Sequence, residues 1–331
     1  MTALAFALAL AVDQAAARAQ QAPPNAVATV FPSVIETDRR AFMASFIDRL
    51  GPSCLEKGAR LEADPAFATP TAWGRGFYRS DDISEGGGAT AGFEFHPDRR
   101  TCAGVGFNYA NTSLALDGLP QSGEVAAFSL GAYARRDGKL IFVDGAFAAT
   151  FADIDSKRRV SGLVAKGSTE ATGAGIVAGI GLVLHAGLIV LEPRFGLDYD
   201  HGHQDGYAEH GAGVADLRVS SGEHDGFRSN LGLRLHRVFD LPSGAGFMPE
   251  FSIAWAHNLI DQGVTLTERP AGSPGAFHVA GDKPPADFLL LGAGLSFHPN
   301  GSDEIFVRYD GAWAEDDIHA DAVSAGGKLR W

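Results

Sequence analysis

Residues Ile305–Trp331 read IFVRYDGAWAEDDIHADAVSAGGKLRW. From Ile305 every second position carries an apolar or aromatic side chain at Val307, Tyr309 and Trp313, with Arg308 and Asp310 between them. After an acidic break at Glu315–Asp317 the alternation resumes through Val323, Ala325, Gly327 and Leu329 and reaches Trp331. Side chains on a strand alternate between its two faces, so this period of two predicts strands with one apolar face and one wet face. Such strands suit a wall that separates lipid from water.

Composition narrows the class. The 331 residues are 45% hydrophobic and 20% charged, enough for a large core, yet no apolar run approaches the roughly 18–20 residues of a spanning helix. The 42 glycines follow no three-residue period, which excludes collagen, and with 22 Phe they favour short alternating strands over a soluble helical enzyme. A net charge of −13 argues against a nucleic-acid partner. Two cysteines, Cys54 and Cys102, are too few for a disulfide framework or a four-cysteine metal site. They read as one bridge in an oxidising compartment or as two separate buried thiols.

The N-terminal run TALAFALALAV (2–12), followed by Ala17-Arg18-Ala19, has the apolar core and small-residue site of a secretory signal, without a basic leader. The rival reading is an Ala-rich helix, a remnant of an upstream region. Pro23-Pro24 and Pro32 mark a linker. Glu36–Leu50 then sets Phe42, Phe46, Ile47 and Leu50 at helical spacing, with Gly51-Pro52 as a stop.

From Ala72 onward twelve alternating segments follow, near 71–80, 88–97, 101–114, 122–135, 139–152, 168–184, 187–201, 225–239, 245–258, 286–298, 303–314 and 318–331. In 191–200, Leu191, Pro193, Phe195, Leu197 and Tyr199 oppose Glu192, Arg194, Asp198 and Asp200. Charges this dense need a wet lumen, because buried charges without partners are costly. Pro193 sits awkwardly in mid-strand, since proline cannot donate to a ladder. Connections after even-numbered strands are short, whereas 153–167, 202–224 and 259–285 are long. Short turns on one rim and long loops on the other are the pattern of an outer-membrane barrel. The expectation is an all-β, 12-stranded antiparallel transmembrane β-barrel.

The stretches Trp73–Phe77, GFNYANTSL (106–114), LGAYARRDGKLIFVDGAFAATFADIDSKRRV (130–160), LEPRFGLDYDHGHQDGYAEHGAG (191–213), PEFSIAWAHNLID (249–261) and GGKLRW (326–331) together resemble the C-terminal translocator barrel of autotransporters, the type V secretion proteins. The resemblance implies a pore threaded by an N-terminal α-helix, here matched by Glu36–Leu50. It divides the chain into a signal or remnant segment with linker (1–35), a plug helix and periplasmic connection (36–70), and the barrel (71–331). Export of an N-terminal passenger across the bacterial outer membrane is the implied function, with little or no passenger in the residues ahead of the plug; a passenger-less pore or adhesin-like barrel with ligand-binding loops is the alternative. Plug residues Arg39, Arg40 and Arg49 are expected to pair with lumenal Glu94, Asp144, Glu192 and Asp198. Val323, Leu329 and Trp331 would form the C-terminal assembly signal, read by the barrel-assembly machinery and periplasmic chaperones. The other partners expected are outer-membrane lipid and the chain's own N-terminal segment as cargo, around a monomer. The Asn pair of self-cleaving members is absent; Met43-Ala44-Ser45 stands there. On this topology Cys54 and Cys102 share the periplasmic rim, which predicts a disulfide between them.

His201, His203, Asp205, Glu209 and His210, with His224 and Asp225, are the residues from which a rim hydrolase or metal site could be built. Their spacing matches no ordered ligand motif, and no GxSxG, P-loop or HExxH occurs. No enzymatic activity, metal or cofactor is expected.

Overall fold

A computed structural model describes residues 25–51 and 70–331, except 99, 117, 262, 273, 282, 301, 302, 315–318 and 331. Twelve long strands form the wall: β1 Thr71–Asp81, β2 Ser84–Asp98, β3 Thr101–Ala115, β4 Gln121–Asp137, β5 Ile141–Val160, β6 Leu163–Leu182, β7 Ile189–Gln204, β8 Gly222–His236, β9 Gly246–Asp261, β10 Asp287–His298, β11 Glu304–Trp313 and β12 His319–Arg330. Each pairs antiparallel with its chain neighbours, and β12 closes on β1 in a register running from Thr71↔Arg330 to Asp81↔Ala320. The ring therefore has no free edge, the condition for a sheet in hydrocarbon. One helix, α1 (Phe31–Arg49), lies inside it.

Side-chain parity sets the two faces. On β5, Val143, Phe147 and Phe151 point outward and are about half exposed, while Phe142, Asp144, Ala146, Ala148 and Thr150 are buried in the lumen. Beyond Phe151 the outward positions become Asp153, Asp155 and Lys157, which marks where the wall leaves the apolar belt. Near the same level, aromatic groups bind carboxylates across neighbouring strands. Tyr78 Oη donates to Glu85 at 3.2 Å, Tyr199 Oη to Asp225 at 2.6 Å, and Trp255 Nε1 to Asp287 at 2.7 Å. Amphipathic rings with one polar handle belong at a lipid–water boundary.

Three local expectations change. The connection expected at 153–167 is no loop: β5 and β6 continue as a hairpin closed by Ser161 (φ 52°) and Gly162 (φ 83°). Two consecutive left-handed residues make the turn whose twist matches paired strands. The lipid-based alternation fades there because both faces of the hairpin tip leave the membrane. The helix begins at Phe31 instead of Glu36, because Pro32 lies in its first turn, where a missing N–H breaks no helical bond. Pro193 is accommodated at a gap in the ladder: β6–β7 pairing stops at Gly181↔Arg194, and a separate short strand, Leu184–Ala186, takes it up again at Leu184↔Leu191.

The loops between β7 and β8 and between β9 and β10 are ordered. Phe277–Ala280, Thr265–Pro270, Leu217–Val219 and Tyr207–Ala208 form a second, four-stranded sheet in that order. It lies over a short 3₁₀ turn at Ala26–Thr29, where Ala28 packs on Leu217, Val219, Val264 and Leu266.

The belt gives a position-specific prediction. Phe147→Arg, in the middle of the outward apolar row, is expected to cost about 2–4 kcal/mol in refolding titrations into lipid vesicles. Asp155→Arg, above the belt, should leave the titration near that of the parent. Equal effects at both positions would contradict the assigned boundary.

A helix clamped in the barrel lumen

Helix α1 is enclosed on every side along its first half: Val34 through Arg40 are all buried. Glycines on the wall make room for it. A Cβ at Gly226 would lie 2.6 Å from Glu36 Oε1, and one at Gly175 would lie 2.8 Å from Met43 Cε. The helix packs mainly against β4, β5 and β6. Phe46 stacks on Tyr133 at 4.6 Å between ring centroids, and Trp73 Nε1 donates to Tyr133 Oη at 2.9 Å.

The six charged side chains of α1, Glu36, Asp38, Arg39, Arg40, Asp48 and Arg49, sum to zero; five meet opposite charge on the wall, and Glu36 meets His224 there. Arg39 forks onto Asp200, with Nε to Oδ2 at 2.7 Å. Arg40 reaches Asp198 at 3.0 Å and Glu36 at 2.6 Å. Glu36 also meets His224, and Asp38 meets Arg79 at 2.6 Å. At the other end, Asp48 lies 3.3 Å from Arg234. Arg49 lies 3.7 Å from Glu94 and over the Trp73 ring at 4.5 Å. Glu94 in turn receives Lys328 of β12, which ties the closing strand to the helix. The carbonyl of Leu50 accepts from Arg135 at 2.9 Å.

Arg40 with Asp198, and Arg49 with Glu94, are thus brought together. Arg39 meets Asp200, one pleat along β7 from Asp198. Asp144 and Glu192 hold the wall to itself: Asp144 is paired with Arg194 and Glu192 with Arg135 at 2.7 Å. Glu36, Asp38, Asp48, Asp200, Arg79 and Arg234 complete the set outside the expected pairs, and His224, expected only as a rim candidate, joins it from the lumen. Their signal is strand parity, since Asp200 shares the inward face of Asp198, Arg79 that of Trp73, and His224 that of Arg234.

The histidines and acids weighed for a rim hydrolase are dispersed. His201 and Asp225 sit on the outer surface 3.0 Å apart, and His203 pairs with Asp205 at 3.2 Å. His224 faces the lumen, while Glu209 is held by Arg158 under the loop sheet. Among the described residues no group of three or more His, Cys, Asp or Glu side chains could hold a metal. Cys102 is buried at the start of β3; Cys54 and Trp331 lie outside the described residues. Val323 and Leu329 point outward from β12 and are exposed.

Removing one partner of a buried ion pair strands the other, at a cost of about 3–5 kcal/mol. Arg39→Ala should therefore destabilise helix docking by that order, read in denaturant titrations and as frequent openings in single-channel records. Asp200→Asn added to it should recover part of the loss. An Arg39→Ala barrel as stable and as closed as the parent would contradict the clamp.

The family model described as "Autotransporter beta-domain" matches residues 72–310, most of the wall. Among solved structures, the translocator domain of the autotransporter NalP from Neisseria meningitidis is 18% identical, with a TM-score of 0.65, covering 87% of this chain and 96% of that one. The beta domain of the Bordetella autotransporter BrkA is 17% identical at a TM-score of 0.60, covering 80% and 100%. The transport unit of AIDA-I from Escherichia coli is 12% identical at 0.55, covering 85% and 99%. Among curated proteins no sequence matches. A twelve-stranded ring enclosing one N-terminal helix, matched from its first strand into its eleventh, has one reading: the chain belongs to the autotransporter beta-domain family, the bacterial outer-membrane translocator barrels of type V secretion.

Proposed function

We propose that this barrel exports the polypeptide N-terminal to it and retains Phe31–Arg49 in the bore afterwards as a seal. The observation that carries this reading is the ion-pair clamp along α1. A helix merely packed in a pore needs no charges, whereas six that balance and meet wall partners at both ends specify one axial position. The helix starts beneath the rim of long loops and ends beside Trp73 at the opposite rim, so its N-terminal end faces outward. Chain emerging ahead of residue 25 is thereby delivered to the cell exterior.

Two further expectations go with this reading, the first from the family and the second from the shared rim of the two cysteines. The closing strand, with Val323, Leu329 and Trp331, is the segment offered to the barrel-assembly machinery and to periplasmic chaperones. Cys54 is bonded to Cys102 in the oxidising periplasm, closing the connection between helix and wall.

Deletion of residues 1–50 is expected to raise conductance in planar bilayers well above that of the full chain. Unchanged conductance would remove the seal and favour an open pore or an adhesin-like barrel. Thiol titration of purified, non-reduced protein should find no reactive cysteine, and two free thiols would remove the disulfide.

A further inference from the structure

The four-stranded sheet outside the wall has an inner face made of Leu217, Val219, Leu266 and Val279, all buried. That face covers Asn25–Thr29, the first described residues of the chain, and Asn25, Val27 and Ala28 are wholly inaccessible. Specific bonds join this segment to its surroundings. Asn25 Nδ2 donates to Tyr207 Oη at 3.2 Å and to Glu209 Oε1 at 3.1 Å, and Val27 N donates to Gln121 Oε1 at 3.1 Å. Glu209 also accepts from Arg158 Nε at 3.1 Å and from Leu217 N at 2.9 Å. One carboxylate thus joins the exit segment, the barrel extension at β5 and the loop sheet.

One side chain on the inner face breaks its pattern. Glu268 is fully buried, and neither carboxylate oxygen has a hydrogen-bond partner. A buried acid left in this state calls for an explanation, since solvation is lost and nothing replaces it. We propose that the loop sheet is a gate that clamps the exit segment Asn25–Thr29 and that Glu268 sets its stability, the gate holding in acid and loosening in alkali. The proposal rests on the reading that α1 stays in the bore with its N-terminal end outward.

The titratable and charged groups facing Glu268 are Glu209 and Tyr207 from the loop between β7 and β8, and Arg158 from β5. The segment Asn25–Thr29 contributes no titratable side chain. His278 bonds Thr267 in an exposed pair, away from the buried face. Burial, reinforced by Glu209 and opposed by Arg158, pushes the Glu268 carboxyl from 4.5 up to about 8. With the gate open, the carboxyl returns to its ordinary range. The closed form therefore binds the extra proton between those two values. Stability of closure is complete below about pH 4.5, declines as pH rises, and is level above about pH 8.

Hydrogen–deuterium exchange of the full chain in lipid nanodiscs tests this, with rates corrected for intrinsic pH dependence. Protection of residues 25–29 and 264–270 should fall at least tenfold between pH 5 and pH 9, while amides 34–47 of α1 stay protected at both. Glu268→Gln, which keeps the shape and removes the titration, should flatten the pH response. A Leu266→Ala variant, loosening the same face without touching the acid, should lower protection at both pH values and keep the slope. Protection independent of pH in the parent, or an equal fall in Glu268→Gln, overturns the gate. Rapid exchange of α1 at every pH would instead overturn the seal on which it rests, so the two failures are distinct.

Discussion

Backbone N–H and C=O groups in hydrocarbon find no water, and everything else in this structure follows from that constraint. A sheet meets it only by closing on itself, and β12 does so against β1 along eleven paired residues. Closure fixes parity: one face of each strand must be apolar for lipid, and the other faces a lumen that tolerates charge. Leu197 and Phe195 look outward because Asp198 and Arg194 look inward. The lumen created in this way is wide enough for a helix, and glycines such as Gly175 and Gly226 bring the wall against it.

Charges then give the helix its position. Buried ion pairs contribute little net stability, but leaving one partner alone is costly, so their effect is to penalise every other register. A shift of α1 by one turn, about 5.4 Å, would separate Arg39 from Asp200 and Asp38 from Arg79 together. Through Glu94, the same network reaches Lys328 on the closing strand. Helix docking and barrel closure are thus mechanically joined at the rim where the wall begins and ends.

Much of this was legible in the chain. Long amphipathic strands announce themselves by period, and all twelve were countable because lipid enforces the alternation. Inward charges are legible by the same parity along 191–200, where Glu192, Arg194, Asp198 and Asp200 share the face opposite Leu191 and Phe195. What period cannot supply is the pairing. Asp198 and Asp200 share one face, and only the rotation and depth of the helix decide which receives Arg39 and which Arg40. Asp144 and Glu192 satisfy each other's neighbours on the wall, a choice set by strand tilt and side-chain reach. Outside the belt the enforcing solvent changes and the signal weakens. There the hairpin beyond Phe151 read as a loop, and the sheet of Leu217–Val219 and Thr265–Pro270, assembled from segments far apart in the chain, left no local trace.

In the proposed function the helix threads the bore with its N-terminal end at the outer surface. An epitope placed ahead of residue 25, with Ala44→Cys as an internal probe, tests it on intact cells. Antibody should bind the epitope without permeabilisation, and Cys at position 44 should not react with a membrane-impermeant maleimide. Epitope binding only after the outer membrane is permeabilised would contradict it.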